Sequence, residues 1–455
     1  MQVIDDLAHA RLQGETILTI GAFDGVHRGH QALIASVIER ARATGRQAAL
    51  MTFHPHPAVV LAPARAPKYL TTPGEKIALL EELGLDVVVL LPFNHDVANT
   101  TAQDFMRMVW ERLGLRELWV GADFALGRGR EGNVDRLREL GQEMGYEVHV
   151  MPPVIEGGAP ISSTRIRALI QHGEVDEAAQ LLGRYPSVSG EVVSGARRGR
   201  QFGFPTANLE VRDERAVPAN GVYAVFALLG ATRYPAVANV GVRPSFDNGE
   251  RTVETYIFDF DQEIYGCDLV VEFVARLRDE RRFREIDELI AQIERDSEQA
   301  REMLAGEDAD SGVRVAGMPC PFRYYEIEHT ADRALQVWGK DLPDLFAGAA
   351  RGMFALLSDV NDGGLATRWY DVTLEALDRE TLLVDWLNEL LYLSEVEGVL
   401  FFDFRMLWVN DKSLQARVGG VPGEPDKTHI KATTFHDLAL VADEAGWSTV
   451  ITFDV

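Results

Sequence analysis

Cysteine is nearly absent: of 455 residues only Cys267 and Cys320 carry sulfhydryl chemistry. They stand in unrelated contexts, so the sequence offers no disulfide framework and no CxxC redox or metal motif, and thiolate-held zinc is excluded. Long apolar runs are missing too. No stretch approaches the ~18 uncharged apolar residues of a membrane span, and the N-terminus, with Asp5 and Asp6, lacks the basic flank and apolar run of a secretory or transit signal. These absences point to the cytoplasm. Basic residues are in deficit, 45 against 70 acidic for a net charge of −25, which disfavours a function built on broad electrostatic contact with nucleic acid. The deficit is uneven: residues 323–455 hold 11 basic and 23 acidic residues, a net −12, so the last third is the most acidic per residue.

What is present is an ordinary globular composition, 46% hydrophobic and 25% charged, in a chain too long for one core of about 100–200 residues. The first 170 or so residues alternate short apolar runs with amphipathic stretches, which predicts a doubly wound parallel sheet. Its strands are expected at 16–20, 48–53, 86–91, 117–120 and 147–150, with a helix starting at Thr72-Pro73. Beyond Pro186 the period changes to two (SGEVVSG, GVYAVFAL, VETYIFDF, DLVVEFVARL), predicting a small antiparallel barrel followed by a helix over 286–304. Residues 305–322 are rich in small and turn-forming types and read as a linker. A mixed α+β segment follows, with helices expected at 342–357 and 380–396. The resulting domains are 1–184, 185–304 and 323–455.

The first apolar strand runs into GAFDGVHRGH, residues 21–30, and then an amphipathic helix that His30 would open. In an open parallel sheet, ligands bind beyond the carboxyl ends of the strands, and a Gly-rich turn into a helix presents backbone N–H groups to phosphate. His27 and His30 would face that site and stabilise charge developing on phosphate oxygens during adenylyl transfer, with no covalent enzyme intermediate. A bare HxxH could equally be a surface pair on one helical turn. The longer string GxFDGxHxGH resembles the signature of HxGH nucleotidyltransferases, and in particular the adenylyltransferase module of prokaryotic bifunctional riboflavin kinase/FAD synthetases. That resemblance implies nucleotide and phosphate contacts at Gly21, Phe23, Asp24, Gly25 and Gly29. In ISSTRIR it implies ATP-phosphate contacts at Ser163, Thr164 and Arg167; Ser and Thr there could be simple helix caps, whereas a guanidinium suits phosphate oxygens beyond what a cap requires. In GADFALG, Asp123 and Phe124 align with a flavin-contacting loop. One departure stands out: FHPHP, residues 53–57, has His54 where the family usually has an acidic residue. His54 and His56 are spaced as a metal pair could be, although a Pro-flanked loop histidine is more often solvated.

The string GARRGRQFGFPTANL, residues 195–209, joins glycines that admit phosphates, the cations Arg197, Arg198 and Arg200, and the hard oxygen donors Thr206 and Asn208, suited to Mg2+. It resembles the phosphate- and magnesium-binding segment of riboflavin kinases, which extends the nucleotide contacts to Gly195, Arg200 and Gly203. Phosphorylating a hydroxyl needs a proton acceptor. Glu254 is the candidate: strand alternation sets it on the face of Tyr256 and Phe258, and the matching flavokinase position is the general base. ANVGVRPSF and the IYG at 264–266 extend this resemblance.

From Tyr325 to the C-terminus the chain resembles archease, through HTAD, LLVDWLNELLYL, HIKATTFHDL and the terminal FDV. Archeases assist an RNA-splicing ligase and bind a metal through acidic residues. The resemblance implies a Ca2+ or Mg2+ site from Asp332, Asp454 and the Val455 carboxylate, with His429, Lys431 and His436 nearby. An oxygen-only donor set fits such hard cations; the plainer reading is that Asp332 caps a helix and Asp454 is solvated. The −12 charge suggests a basic partner protein rather than RNA. Taken together, the expected activity is conversion of riboflavin and ATP to FMN and then FAD, with Mg2+ at both sites. The alternative is a catalytically silent flavin-binding scaffold regulating the archease-like domain.

Overall fold

Apolar runs flanked by Gly and Pro become the buried centre of a six-stranded sheet in the computed structural model. The structure describes the whole chain except residues 5, 6, 8–10, 194–203, 212, 213, 231, 243–250, 263, 282, 284, 306–321, 328–332, 359–365, 436, 437, 444 and 445. The strands are β1 (Gln2–Ile4), β2 (Thr16–Ile20), β3 (Gln47–His54), β4 (Val87–Pro92), β5 (Leu115–Gly121) and β6 (Glu147–Met151). They lie in the order β1-β4-β3-β2-β5-β6, every pair parallel. Order reverses between β2 and β5, so the crevice where ligands bind in such sheets opens beyond the end of β2. Helices α1 (Arg28–Thr44), α2 (Pro73–Glu82), α3 (Ala102–Leu113) and α4 (Val134–Met144) cover both faces. The Thr72-Pro73 start is realised as a full capping box, with Glu75 closing it. Helices α5 (Ser163–His172) and α6 (Val175–Leu182) lead into the second unit.

That unit is a closed antiparallel barrel of β7 (Ser187–Val193), β8 (Ala207–Glu210), β9 (Gly221–Leu229), β10 (Thr232–Val242), β11 (Arg251–Ile257) and β12 (Asp268–Arg278), in the order β7-β8-β11-β10-β9-β12. Alternation serves two cores. Tyr223, Val225 and Ala227 fill the interior with Val253, Val271 and Phe273, while Val222, Ala224 and Phe226 point outward beneath α7 (Ile286–Ala305), against Ala300 and Leu304.

The last unit packs α8 (Leu342–Leu357) and α9 (Arg379–Glu397) around the buried Trp386. Its strands are β13 (Phe322–Ile327), β14 (Arg333–Gly339), β15 (Arg368–Glu375), β16 (Val399–Val409), β17 (Ser413–Pro422), β18 (Ala432–Thr434), β19 (Val441–Asp443) and β20 (Gly446–Asp454). One sheet runs β13-β14-β20-β18 with β19 on β20, the other β15-β17-β16. This unit touches the barrel through polar pairs: Tyr324 donates its hydroxyl to Glu191 at 2.7 Å, and Arg351 meets Asp268 at 2.8 Å. Glu191 and Asp268 are cross-strand partners on β7 and β12.

The cysteines depart from the expectation that no disulfide forms. Cys267, at the foot of β12, is disulfide-bonded; the chain's other cysteine, Cys320, lies outside the described residues. Sequence spacing could not show this, because the bond depends on which loops the fold brings together. Among the described residues, no helix is long and apolar enough to cross a membrane.

Candidate active sites

The turn after β2 is shaped by backbone that few residues adopt. Phe23, Gly25 and Val26 have φ of 46°, 81° and 40°. A Cβ on Gly25 would lie 2.7 Å from Leu70 Cδ1, so glycine serves both conformation and fit. α1 then opens at Arg28, not at His30 as expected: His27 is the N-cap, its Nδ1 accepting from the His30 amide at 3.2 Å. The two imidazoles stack, centroids 3.6 Å apart and planes 15° from parallel, and the edge of Phe23 meets His30 at 5.0 Å. A Cβ on Gly29 would lie 3.2 Å from the His27 ring, so the absence of a side chain there leaves room for the stack.

Burial decides the charge of these rings. It holds His27 down to about 4 and His30 well below the usual imidazole range. Both are neutral at neutral pH, and because His27 Nδ1 accepts, its proton sits on Nε2. The pair therefore offers N–H dipoles to an anion rather than full cations. A cation lies behind them: Lys76, 5% exposed, donates to Ala22 O at 2.9 Å and to Thr52 Oγ1 at 3.3 Å, and burial lowers it to about 8.

Asp24 is drawn inward, 2% exposed. Its carboxylate accepts from the amides of Leu70 and Thr71 at 3.1 and 3.2 Å, from Thr71 Oγ1 at 3.3 Å and from Arg167 at 2.7 Å. Arg167 also donates to Lys68 O at 2.7 Å, and Ser163 Oγ to Asp24 O at 2.9 Å. Ser163 and Arg167 thus meet the turn directly. Thr164 is exposed, and the capping role falls to Ser162. Gly21 closes β2, its amide bonded to Met51 O. Asp123 is exposed and Phe124 half-buried on the loop after β5, the strand across the crevice from β2. His56 departs from the solvated reading: it caps a short helix over Pro57–Leu61, Nδ1 accepting from Ala58 N. Among the described residues no cluster of three or more His, Cys, Asp or Glu side chains could hold a metal.

In the barrel, Gly195, Arg197, Arg198, Arg200 and Gly203 lie outside the described residues. Thr206 and Asn208 are described and half-buried, and Asn208 Nδ2 donates to Thr206 O at 3.5 Å, leaving Oδ1 as its acceptor end. Asn208 is the cross-strand partner of Glu254, and Glu254 in turn pairs with Asn239 on β10. One rung across β8, β11 and β10 therefore carries Asn208, Glu254 and Asn239. Asn239 joins this rung only through strand register, which nothing in the sequence reveals. Glu254, Tyr256 and Phe258 share the outward face, as alternation predicts, with Phe204 set edge-on to Tyr256 at 5.4 Å. The hard oxygen side chains of Thr206 and Asn208 suit a Mg2+ ion, with Glu254, the expected base, beside Asn208 on the same rung.

In the last unit Asp332 and His436 lie outside the described residues. Asp454 is exposed, its carbonyl accepting from Lys431 N at 2.8 Å, while Lys431 Nζ donates to Val455 O at 2.9 Å. Lys431 Nζ therefore already occupies the Val455 oxygen that the expected donor set would offer a cation.

An open parallel sheet with a stacked histidine pair at its switch point, joined to a closed barrel bearing a hard-oxygen rung, defines a two-site nucleotide-dependent transferase. A FAD synthetase family model matches residues 9–165, a riboflavin kinase model residues 182–304 and an archease model residues 324–455. The bifunctional riboflavin kinase/FMN adenylyltransferase of Escherichia coli K12 is 40% identical over 303 residues, covering 66% of this chain and 96% of that protein. Its Bacillus subtilis counterpart is 37% identical, covering 63% and 92%. A crystal structure titled as a macrolide-efflux protein from Streptococcus pneumoniae superposes with a TM-score of 0.62 at 34% identity, covering 66% of this chain and 98% of that one. The chain belongs to the bifunctional riboflavin kinase/FMN adenylyltransferase family and carries a C-terminal archease domain. The silent-scaffold alternative finds no support in these relatives.

Proposed function

We propose that this chain phosphorylates riboflavin to FMN at the barrel and adenylylates FMN to FAD at the sheet domain, each with ATP. The observation that carries this is a single alignment spanning both sites and 96% of the Escherichia coli relative. At the barrel, Glu254 takes the proton from the ribityl 5′-hydroxyl as that oxygen attacks the γ-phosphorus and ADP departs. Thr206 and Asn208 would hold Mg2+, which would supply positive charge to the phosphate oxygens, and the family resemblance adds Gly195, Arg200 and Gly203 as phosphate contacts. At the sheet domain the FMN phosphate attacks the α-phosphorus of ATP, and pyrophosphate leaves. His27 and His30, as neutral N–H donors, stabilise charge on the reacting phosphate together with the amides of the Gly21–Gly29 turn. Ser163, Thr164 and Arg167 hold the leaving phosphates, and Asp123 and Phe124 contact the flavin.

The working boundaries are 1–184, 185–304 and 323–455, joined by 305–322. The archease domain acts on an RNA-splicing ligase in the cytoplasm, with Asp332, Asp454 and Val455 as candidate Ca2+ or Mg2+ ligands. The test is chromatography of flavins after incubation with riboflavin, ATP and Mg2+. Wild type should yield FAD, Glu254→Ala should leave riboflavin, and a His27→Ala/His30→Ala variant should accumulate FMN. Wild type that binds both substrates without turnover would overturn the proposal.

A further inference from the structure

The segment that holds the adenylylation turn is itself held by the barrel. Leu70 and Thr71 bind the Asp24 carboxylate, and their neighbour Tyr69 forms a one-residue parallel bridge with Arg215 of the barrel: Tyr69 N donates to Glu214 O at 2.6 Å and Ala216 N to Tyr69 O at 2.9 Å. The Arg215 side chain, 5% exposed, reaches Glu75 at 2.9 Å and donates to Ser187 O at 3.1 Å. Ser189 of the barrel donates to the same Glu75 at 2.8 Å. Glu75 Oε2 in turn accepts from Thr72 N at 2.8 Å, closing the capping box of α2. The next residue of α2 is Lys76, which holds Ala22 and Thr52.

Two routes therefore run from residues 214–216 of the barrel into the turn, one from the Arg215 guanidinium and one from the backbone pairing with Tyr69. One passes through Glu75 to α2, Lys76 and Ala22; the other through Tyr69 and Leu70 to Asp24 and Arg167. Backbone pairing alone would hold Tyr69, but it does not set the pitch of α2. The buried Arg215–Glu75 pair ties the first turn of α2 to the barrel, and a fork of donors spanning Glu75 and Ser187 O at once is a geometry that an ammonium cannot copy.

We infer that Arg215, in the kinase barrel, is a positioning residue for adenylyl transfer in the sheet domain, so FAD formation requires the barrel as a structural part of that site. This rests on the function proposed above. Displacing a reacting group by about 1 Å costs on the order of 100-fold, and that is the scale expected here.

The experiment uses the full chain and measures the two half-reactions separately, riboflavin to FMN and supplied FMN to FAD. Arg215→Ala should lower kcat of adenylylation by about 10- to 100-fold, leave its KM for FMN within about twofold, and leave riboflavin phosphorylation unchanged. Arg215→Lys should recover part of the loss. Glu75→Gln, a change in the other domain, should reproduce it, and combining it with Arg215→Ala should add little, since both act through one contact. Kinase activity in the same tube reports folding of the barrel. A parallel fall of both half-reactions, or adenylylation unchanged in both single variants, overturns the inference. Wild type inactive on supplied FMN would instead sink the functional reading beneath it.

Discussion

His27 shows how far one buried side chain can be followed. Its folded pKa of about 4 lies below the ordinary imidazole value of 6.5, so between those values the unfolded chain binds the proton and the folded one does not. Stability from this group is therefore complete above about pH 6.5 and is lost as pH falls towards 4, to an extent of about 3 kcal/mol by the linkage relation. The expected result is a steep loss of stability of the sheet domain from pH 6.5 to 4.5 that His27→Asn reduces in part, the buried His30 contributing the rest, read by urea unfolding at a series of pH values. A His27 ring resonance titrating near 6.5 in the native protein would contradict it. Gly29→Ala separates function from stability: alanine favours a helix by roughly 0.5–1 kcal/mol, yet its Cβ crowds the His27 ring. Thermal stability should hold or rise slightly while adenylylation falls at least tenfold and phosphorylation does not change. The HxGH pattern was legible because its residues are contiguous. Lys76 and Arg215 were not, since a lysine on an amphipathic helix and an arginine in a polar loop look solvated until tertiary contacts bury them.

At the level of elements, legibility followed the strength of the local signal. The central strands stand where continuous apolar runs predicted them, and α8 spans the expected 342–357. β1 was missed because three residues carry no period, β8 because four hardly carry more. β10 was masked by Pro235, which argues against a strand by propensity yet is tolerated in this one. The helix at Thr72 was legible through its cap, which makes that cap a fair test. Thr72→Ala removes the acceptor for Glu75 N and should lower stability by about 1 kcal/mol, seen as a lower urea midpoint for the sheet domain. Because Glu75 also anchors Arg215, the same variant should lower adenylylation more than phosphorylation. Equal losses in both would mean that the cap contributes only to folding. What no local signal could supply was register: Asn208, Asn239 and Glu254 lie on three separate strands and share one rung only through the pairing of β8, β11 and β10.

For the whole molecule, the question is whether the archease domain completes the barrel or merely rests on it. The barrel's interior is closed by its own six strands, and its outer apolar face is covered by α7. The archease domain adds instead a polar seam, Tyr324 on Glu191 and Arg351 on Asp268. Burial raises the Glu191 carboxyl above its usual range and the Tyr324 hydroxyl well above its own, so the seam costs desolvation that its hydrogen bonds offset. Removing the domain returns Glu191 and Asp268 to water, where they need no partner. Removing Arg351 alone leaves the two carboxylates side by side beneath the domain without their cation. A chain ending at Ala305, with Cys267→Ser because the truncation also removes the chain's other cysteine, should therefore stay folded and make FAD, as the length of the Escherichia coli relative also suggests. Arg351→Met in the full chain should loosen the seam by about 1–3 kcal/mol, visible as faster hydrogen exchange along β7, β12 and α8. If the truncated chain aggregates while Arg351→Met exchanges like wild type, the archease domain is a structural cover for the barrel, and the seam's charges are incidental to holding it there.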